Sequence, residues 1–175
     1  MATETPVYLV HAQGEPVVVR IEGRAHFRNA APLDEALLHL VATGKRQIVI
    51  DFHACESLDS TVLGILAGVG LALMDAAPPG KMVLAGLDAR QRELMENVGL
   101  QHLAELSGRP ASSPLEAKAA YVPLTSEAQT SLAAAQLVLK AHEDLVRADE
   151  GNASQFRDVI KLVKEDIQAQ TGEPT

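Results

Sequence analysis

The sequence contains very little cysteine or aromatic residue, and it lacks the histidine patterns of metal sites. Its 175 residues include one cysteine, Cys55, no tryptophan, and an aromatic fraction of only 3%. A single cysteine excludes an intramolecular disulfide and suits a reducing cytoplasm. The six histidines form no H-x-x-H or H-x-x-x-H pair, which is a common spacing of metal ligands on a helix. We therefore expect neither a metal ion nor another cofactor.

Long hydrophobic runs and an excess of positive charge are also absent. The longest apolar run, residues 62–74, is shorter than the ~20 residues that a membrane-spanning helix needs. Residues 1–6 lack the basic and then apolar pattern of an export signal. The formal net charge of -8 argues against nucleic acid or an anionic membrane as a partner. These absences predict a cytoplasmic protein that binds neither.

Aliphatic residues are abundant, and their spacing predicts the fold. Hydrophobic residues make up 47% of the chain, enough for a core without disulfides or metal, and the length suits one domain with an appendage. The predicted strands span residues 7–10, 17–21, 47–52, 81–85 and 102–106, and the predicted helices span residues 32–42, 61–76 and 90–98. The order β-β-α-β-α-β-α-β predicts an α/β fold with a mixed sheet covered by helices, beginning with an antiparallel hairpin of strands.

The C-terminal third differs in composition and pattern. Residues 108–125, rich in Ser, Pro and Ala, are predicted to be a linker between a domain at residues 1–107 and a helical hairpin at residues 126–170. Ser126 and Gln129 form a capping-box pattern at the start of the hairpin. The apolar stripe predicted for its first helix comprises Leu132, Ala135, Leu139, His142 and Val146. Such a hairpin cannot bury its stripes alone, so it must dock on its own domain, on a partner or on a second copy.

The most informative stretch joins the third strand to the second helix. A buried strand ends in a loop that delivers Asp59-Ser60-Thr61 to an apolar helix, and Leu63-Gly64 follows shortly after. This stretch resembles STAS domains, in which a hydrophobic strand, Asp and a short loop precede Leu or Met-Asp-Ser-Ser/Thr-Gly-Leu-Gly. Their best-known members are bacterial anti-sigma-factor antagonists. The resemblance extends over residues 7–106 and implies a STAS-like fold.

The resemblance also implies a function for the start of the second helix. In that family the serine after the aspartate accepts a phosphate from a partner kinase, a role that falls here on Ser60 or, as an alternative, on Thr61. Free N–H groups and the helix dipole tolerate a phosphate at this place, while about -1.5 to -2 charges appear on the surface that a partner must cover. The implied partner is an anti-sigma factor or a serine kinase-type protein in transcription regulation. The implied partner interface comprises Arg24, His26, Asp59, Ser60, Thr61 and Val62.

Two residues depart from the family pattern. Val62 replaces the glycine that follows the Ser/Thr, and a β-branched residue narrows the contact surface beside Ser60. His26 stands three residues after Gly23, where many antagonists carry an aspartate. A cationic Arg24 or His26 could instead hold a phosphate. Asp-Ser-Thr at a helix start is also commonly only a cap. The alternatives to a phosphoswitch are therefore an oligomeric STAS scaffold, joined through the C-terminal helices, and a small-ligand-binding STAS module.

Other candidate sites have simpler interpretations. No G-x-S-x-G motif surrounds Ser60, so the sequence predicts no enzyme. Cys55 is interpreted as a small buried hydrophobic residue. Three glycines inside the second helix, Gly64, Gly68 and Gly70, lack the Lys and Ser/Thr of a phosphate loop. We interpret them as small residues that let this helix pack closely on the sheet.

Overall fold

The computed structural model describes residues 7–111 and 121–172, and within them a single mixed sheet is covered by helices. The strands are β1 Tyr8–His11, β2 Val17–Ala25, β3 Gln47–Leu58, β4 Lys81–Ala85, β5 Glu105–Leu106 and β6 Val122–Pro123. The helices are α1 Ala31–Ala42, α2 Ser60–Asp75, α3 Ala89–Asn97, α4 Ser131–Ala148 and α5 Asn152–Thr171. The strand order is β5-β4-β3-β2-β1-β6. The predicted STAS-like α/β fold with C-terminal helices is confirmed.

Strand directions bring several loops to one edge of the sheet. β1 and β2 form the predicted antiparallel hairpin, whereas β2, β3, β4 and β5 run parallel to one another. The carboxyl ends of parallel strands lie on the same side. The loop after β2 and the starts of α2 and α3 therefore share this carboxyl edge. β3 is longer than predicted because it stays paired with β2 as far as Leu58, so it leads directly into Asp59.

The core is aliphatic, as the composition predicts. Its fully buried strand residues include Val17, Val19, Ile21, Ile48, Ile50 and Leu84. The fifth predicted strand, residues 102–106, is wrong in its first half. A 3₁₀ turn occupies Leu100–His102, and only Glu105–Leu106 pair with β4. The turn follows Gly99, whose φ of 81° ends α3 in the left-handed conformation and turns the buried Leu100 inward.

The first helix of the C-terminal hairpin (α4 and α5) begins at Ser131 rather than Ser126. The hydroxyl of Thr130 accepts from the Ala133 N–H at 3.1 Å, so the predicted capping box at Ser126 is wrong. Shortly before this start the chain is still held at the sheet, where β6 pairs with β1 and the Leu124 N–H donates to the Tyr8 carbonyl. β6 lies within the segment predicted to be a linker. Residues 112–120 of that segment lie outside the described residues.

The hairpin docks on the α/β domain of its own chain, one of the three predicted alternatives. α4 packs along α2, and α5 packs on α4. The buried Asn152 fixes the turn between the two helices, because its side-chain amide donates to the carbonyls of Val98 at 3.0 Å and Leu145 at 2.8 Å. Among the described helices, none has the length and apolar character to cross a membrane.

Candidate functional site

Asp59 fixes the start of α2 in two directions. One carboxylate oxygen accepts from the Val62 N–H at 3.1 Å and caps the helix, as the sequence predicts for this position. The other oxygen accepts from the Phe27 N–H at 2.7 Å, in the loop that follows β2. The same side chain therefore ties two adjacent loops of the carboxyl edge together and holds Ser60 in a defined place.

Ser60, the first residue of α2, contacts a histidine of the C-terminal hairpin. Its Oγ lies 2.9 Å from Nε2 of His142, and Nδ1 of His142 lies 2.7 Å from the Val138 carbonyl oxygen. A carbonyl can only accept, so in the neutral imidazole Nδ1 carries the proton and Nε2 accepts from the Ser60 hydroxyl. His142 is only 2% exposed, and the Phe156 ring packs edge-to-face against it at 5.2 Å. The hydroxyl that the sequence singles out is thus engaged by α4.

Two glycines of α2 allow α4 to approach closely. A methyl group added at Gly64 would overlap the backbone carbonyl of Ala141, and one at Gly68 would overlap the Asp144 carboxylate. The prediction that these glycines pack the helix on the sheet is therefore wrong for both, because they face another helix. At Gly70 the added group would meet Leu103.

Charged side chains surround the α2–α4 contact. Asp144 is buried beside Gly68, and its carboxylate pairs with Arg147 at 2.9 Å and with Lys140 at 3.3 Å. Lys140 also reaches Asp34 of α1 at 3.4 Å. Two partners compensate the cost of burying the carboxylate, and the network fixes α4 against both α1 and α2.

The residues predicted for the partner interface separate into a buried group and an exposed group. Thr61 is 3% exposed and Val62 is 0% exposed, so neither can be touched by a partner in this conformation. Val62 does not narrow a surface beside Ser60, because its side chain lies in the core. Only Asp59 and Ser60 of this stretch reach the outside, and both are half-buried.

Arg24 and His26 lie at the carboxyl edge but are engaged elsewhere. Arg24 is exposed and pairs with Glu56 at 3.6 Å. The backbone N–H of His26 donates to the side chain of Asn29 at 2.9 Å. Within residues 7–111 and 121–172, neither forms a hydrogen bond or ion pair with Ser60. The idea that they hold a phosphate on Ser60 stays a prediction.

Sequence reasoning missed His142 as a member of the site. The sequence predicts its helix and places His142 on the apolar stripe, but no local pattern links it to a serine 82 positions earlier. The available signal was a polar ring in an otherwise aliphatic stripe, since a buried imidazole needs hydrogen-bond partners.

Two buried ionisable groups lie behind the site. Burial raises the pKa of the Tyr8 phenol well above its usual range, and the negative charge of Asp59 adds to this. Burial likewise raises the pKa of the Cys55 thiol to about 11; a hydrogen bond to the backbone at Ser57 opposes this rise, and the negative charges of Asp88 and Glu56 add smaller upward contributions. A thiol of that pKa stays protonated and unreactive at neutral pH, which agrees with its interpretation as a small hydrophobic residue.

An open groove of about 470 Å³ lies beside Ser60, between the start of α2 and the two C-terminal helices. Its lining includes Phe27, Ser60, Val138, His142, Val159 and Asp166. No group of three or more His, Cys, Asp or Glu side chains in the described part of the chain could hold a metal ion.

The parallel strands, the aspartate-capped helix and the Asp-Ser-Thr start at the carboxyl edge define a STAS-type domain. The family described as "Mlab, STAS domain" matches residues 9–107. The chain therefore belongs to this STAS family.

The fold is also similar to solved structures of bacterial regulators. The anti-sigma factor antagonist SpoIIAA in its unphosphorylated form is 17% identical, with 57% of this chain and 86% of that chain covered and a TM-score of 0.48. The Bacillus cell fate determinant SpoIIAA in the phosphorylated form is 18% identical, with 57% of this chain and 89% of that chain covered and a TM-score of 0.48. A putative anti-sigma factor antagonist from Thermotoga maritima is 16% identical, with 51% of this chain and 78% of that chain covered and a TM-score of 0.45. No curated protein matches the sequence.

Proposed function

We propose that this chain is a non-enzymatic regulatory protein that binds an anti-sigma factor or a serine kinase-type protein through the carboxyl edge of its sheet. Phosphorylation of Ser60 controls that binding. The observation that carries the proposal is the position of Ser60, directly after the capping Asp59 and at the first residue of α2, in a chain that belongs to a STAS family.

Burial supports Ser60 over Thr61 as the phosphoacceptor. Thr61 is 3% exposed, whereas Ser60 is half-buried and lines an open groove. A phosphate at the first residue of a helix is compatible with the fold because it meets the positive end of the helix dipole. It also places about -1.5 to -2 charges beside Asp59. An acidic partner surface would be repelled from this edge.

The loop after β2 supports the same edge as the protein-binding surface. Phe27 is 42% exposed, and the guanidinium of Arg28 lies over its ring at 5.5 Å. Exposed aromatic and arginine side chains are typical anchors of protein interfaces. Because the Phe27 N–H is bonded to Asp59, this anchor is joined directly to the residue that precedes Ser60.

The decisive experiment is an intact-mass measurement with phosphosite mapping on the protein isolated from its own cells under several stress conditions. One phosphate on Ser60 is the expected result. A clean, unmodified mass under every condition would contradict the phosphoswitch and favour the oligomeric scaffold.

Partner capture from the same cells tests the control of binding. We expect Ser60→Asp to lose a partner that Ser60→Ala retains. Ser57→Asp is the matched control, because Ser57 is an exposed serine just before the site and not part of the helix start. Equal loss with Ser57→Asp would mean that charge anywhere on the edge suffices and that Ser60 has no special role.

A further inference from the structure

One continuous face of α2 is covered by α4. Ser60 contacts His142, Gly64 lies against Ala141, and Gly68 lies against Asp144. Positions four residues apart lie on the same side of a helix. The covered face therefore begins at the proposed phosphoacceptor and runs for two turns along α2.

The two helices can approach this closely because α2 has glycine, which lacks a side chain, where α4 crosses it. Glycine inside a helix is unfavourable because of its backbone freedom, yet α2 has glycine at both positions that α4 crosses. On the other side of the contact, Ala141 and Leu145 are fully buried. The surface of α2 is thus shaped to receive a helix with a small residue at its point of closest approach.

The contact with His142 and a phosphate use the same oxygen atom of Ser60. The Ser60 hydroxyl donates a hydrogen bond to Nε2 of His142. A phosphoserine no longer has the hydroxyl proton that makes this bond. The carboxylates of Asp59 and Asp166 line the adjoining groove, so a phosphate would add negative charge to a site that already holds two acidic groups. Phosphorylation and the closed position of α4 therefore oppose each other.

We infer that this face of α2 is a helix-binding surface that the chain's own α4 occupies in the absence of a partner, so that α4 covers one side of the half-buried Ser60, holds its hydroxyl on His142, and must leave before a kinase or an anti-sigma factor can engage it. The inference rests on the function proposed above and adds its regulation. The partner that fits the vacated face is a protein that presents an amphipathic helix with a small residue where Ala141 lies.

Amide hydrogen exchange on the full chain tests the occlusion without any kinase. We expect Gly64→Ala to speed exchange in residues 137–146 by at least about tenfold, because a backbone carbonyl blocks the added methyl group, while strand residues 48–52 stay protected. Gly70→Ala is the matched control, since it adds the same methyl group to α2 at a position that faces Leu103 and Met82 instead of α4, and residues 137–146 should keep their protection in it. Unchanged protection of α4 in Gly64→Ala would overturn the inference.

A second variant guards against a general loss of folding. Ala141→Leu forces α4 away from α2 by a change on α4 alone, so the α/β domain keeps its own sequence. Residues 137–146 should again exchange at least about tenfold faster while the strands stay protected. If both variants lose protection in α4 and in the strands together, then α4 is an inseparable part of the core and the inference fails.

Thiol labelling then measures access to position 60. In a Cys55→Ala background, Ser60→Cys should react with a maleimide at least about tenfold faster when Gly64→Ala is added, whereas Ser57→Cys should be unaffected. Equal rates at position 60 with and without Gly64→Ala would mean that α4 does not hide it. Because neither measurement uses the kinase, an unphosphorylated Ser60 in the cell would refute the proposed function separately from the occlusion.

Discussion

The starts of α2 and α3 are built from the same local chemistry at the same edge of the sheet. Each helix follows a parallel strand, and each has an aspartate in extended backbone as its N-cap, Asp59 and Asp88. In each case the carboxylate accepts from a backbone N–H in the first turn, at Val62 for α2 and at Gln91 for α3. By the local pattern alone, both are ordinary helix caps.

The two starts differ in their long-range contacts. At α3 the capping carboxylate is used only locally, because the Gln91 side chain accepts from the Asp88 N–H and completes a capping box, and the long-range contact is a bond from the Gln91 side-chain amide to the Cys55 carbonyl at 3.0 Å. At α2 the second oxygen of Asp59 binds the Phe27 N–H, and Ser60 binds His142. At α2 the long-range contacts are made by the capping aspartate and by the first residue of the helix, so a modification of Ser60 acts directly on α4, whereas the first residue of α3 is Ala89, which has no polar group to modify.

Removal of the two capping carboxylates should have unequal effects on stability. We expect Asp88→Ala to cost about 1 kcal/mol, the usual value of a cap. Asp59→Ala should cost about 2–4 kcal/mol, since it also leaves the Phe27 N–H without its partner. Urea unfolding of the two variants measures both losses. Equal losses would mean that the bond to Phe27 contributes nothing and that the two starts are equivalent.

The Ser60–His142 hydrogen bond should appear as a coupling between the two residues. In a double-mutant cycle of Ser60→Ala and His142→Ala, we expect a coupling free energy of about 1 kcal/mol, typical of a hydrogen bond in a partly buried site. A cycle of Ser57→Ala with His142→Ala is the control and should give a coupling near zero. A coupling at Ser60 no larger than this control would contradict the contact.

The same comparison explains which parts of the structure could be predicted from the sequence. The first four strands, the capped start of α2 and the existence of the αα-hairpin follow from local patterns of apolar and capping residues, and these predictions hold, whereas β6 is not predicted. The α4 stripe fails in detail: of its five predicted residues only His142 is buried, while Leu137, Ala141 and Leu145 form the buried face. α4 contacts both α2 and α5, so its buried surface is set by two neighbours and not by one periodicity. Local patterns carry no information on such pairings.

An added carboxylate should change stability in opposite directions at the two starts. Ala89 is the exposed first residue of α3, and Ala89→Asp should stabilise by about 0.3–1 kcal/mol through the helix dipole. Ser60→Asp should destabilise by about 1–2 kcal/mol, because the substitution removes the hydroxyl that binds Nε2 of His142 and places a charge beside the carboxylate of Asp59. Thermal unfolding at pH 8 compares the two. Stabilisation by Ser60→Asp would mean that the start of α2 is an open cap like that of α3, and that α4 does not hinder a charge there.

The smallest expected effect separates the charges of the two caps. Burial is the main reason that the pKa of Cys55 rises to about 11, and the negative charge of Asp88 contributes further, whereas Asp59 acts on Tyr8 instead. Asp88→Asn should therefore lower the pKa of Cys55 slightly, and Asp59→Asn should leave it unchanged. The pH dependence of thiol labelling measures this change in the pKa.

The raised pKa of Cys55 also makes the folding stability depend on pH, because it favours the protonated thiol in the folded state. The contribution of this group to the free energy of unfolding is complete below pH ~8.5, the pKa of an unperturbed thiol, and is lost as the pH rises toward about 11. That loss should be slightly smaller in Asp88→Asn than in Asp59→Asn. An equal change in the pKa of Cys55 in both variants would show that the charge of Asp59 acts on this thiol as strongly as the charge of Asp88.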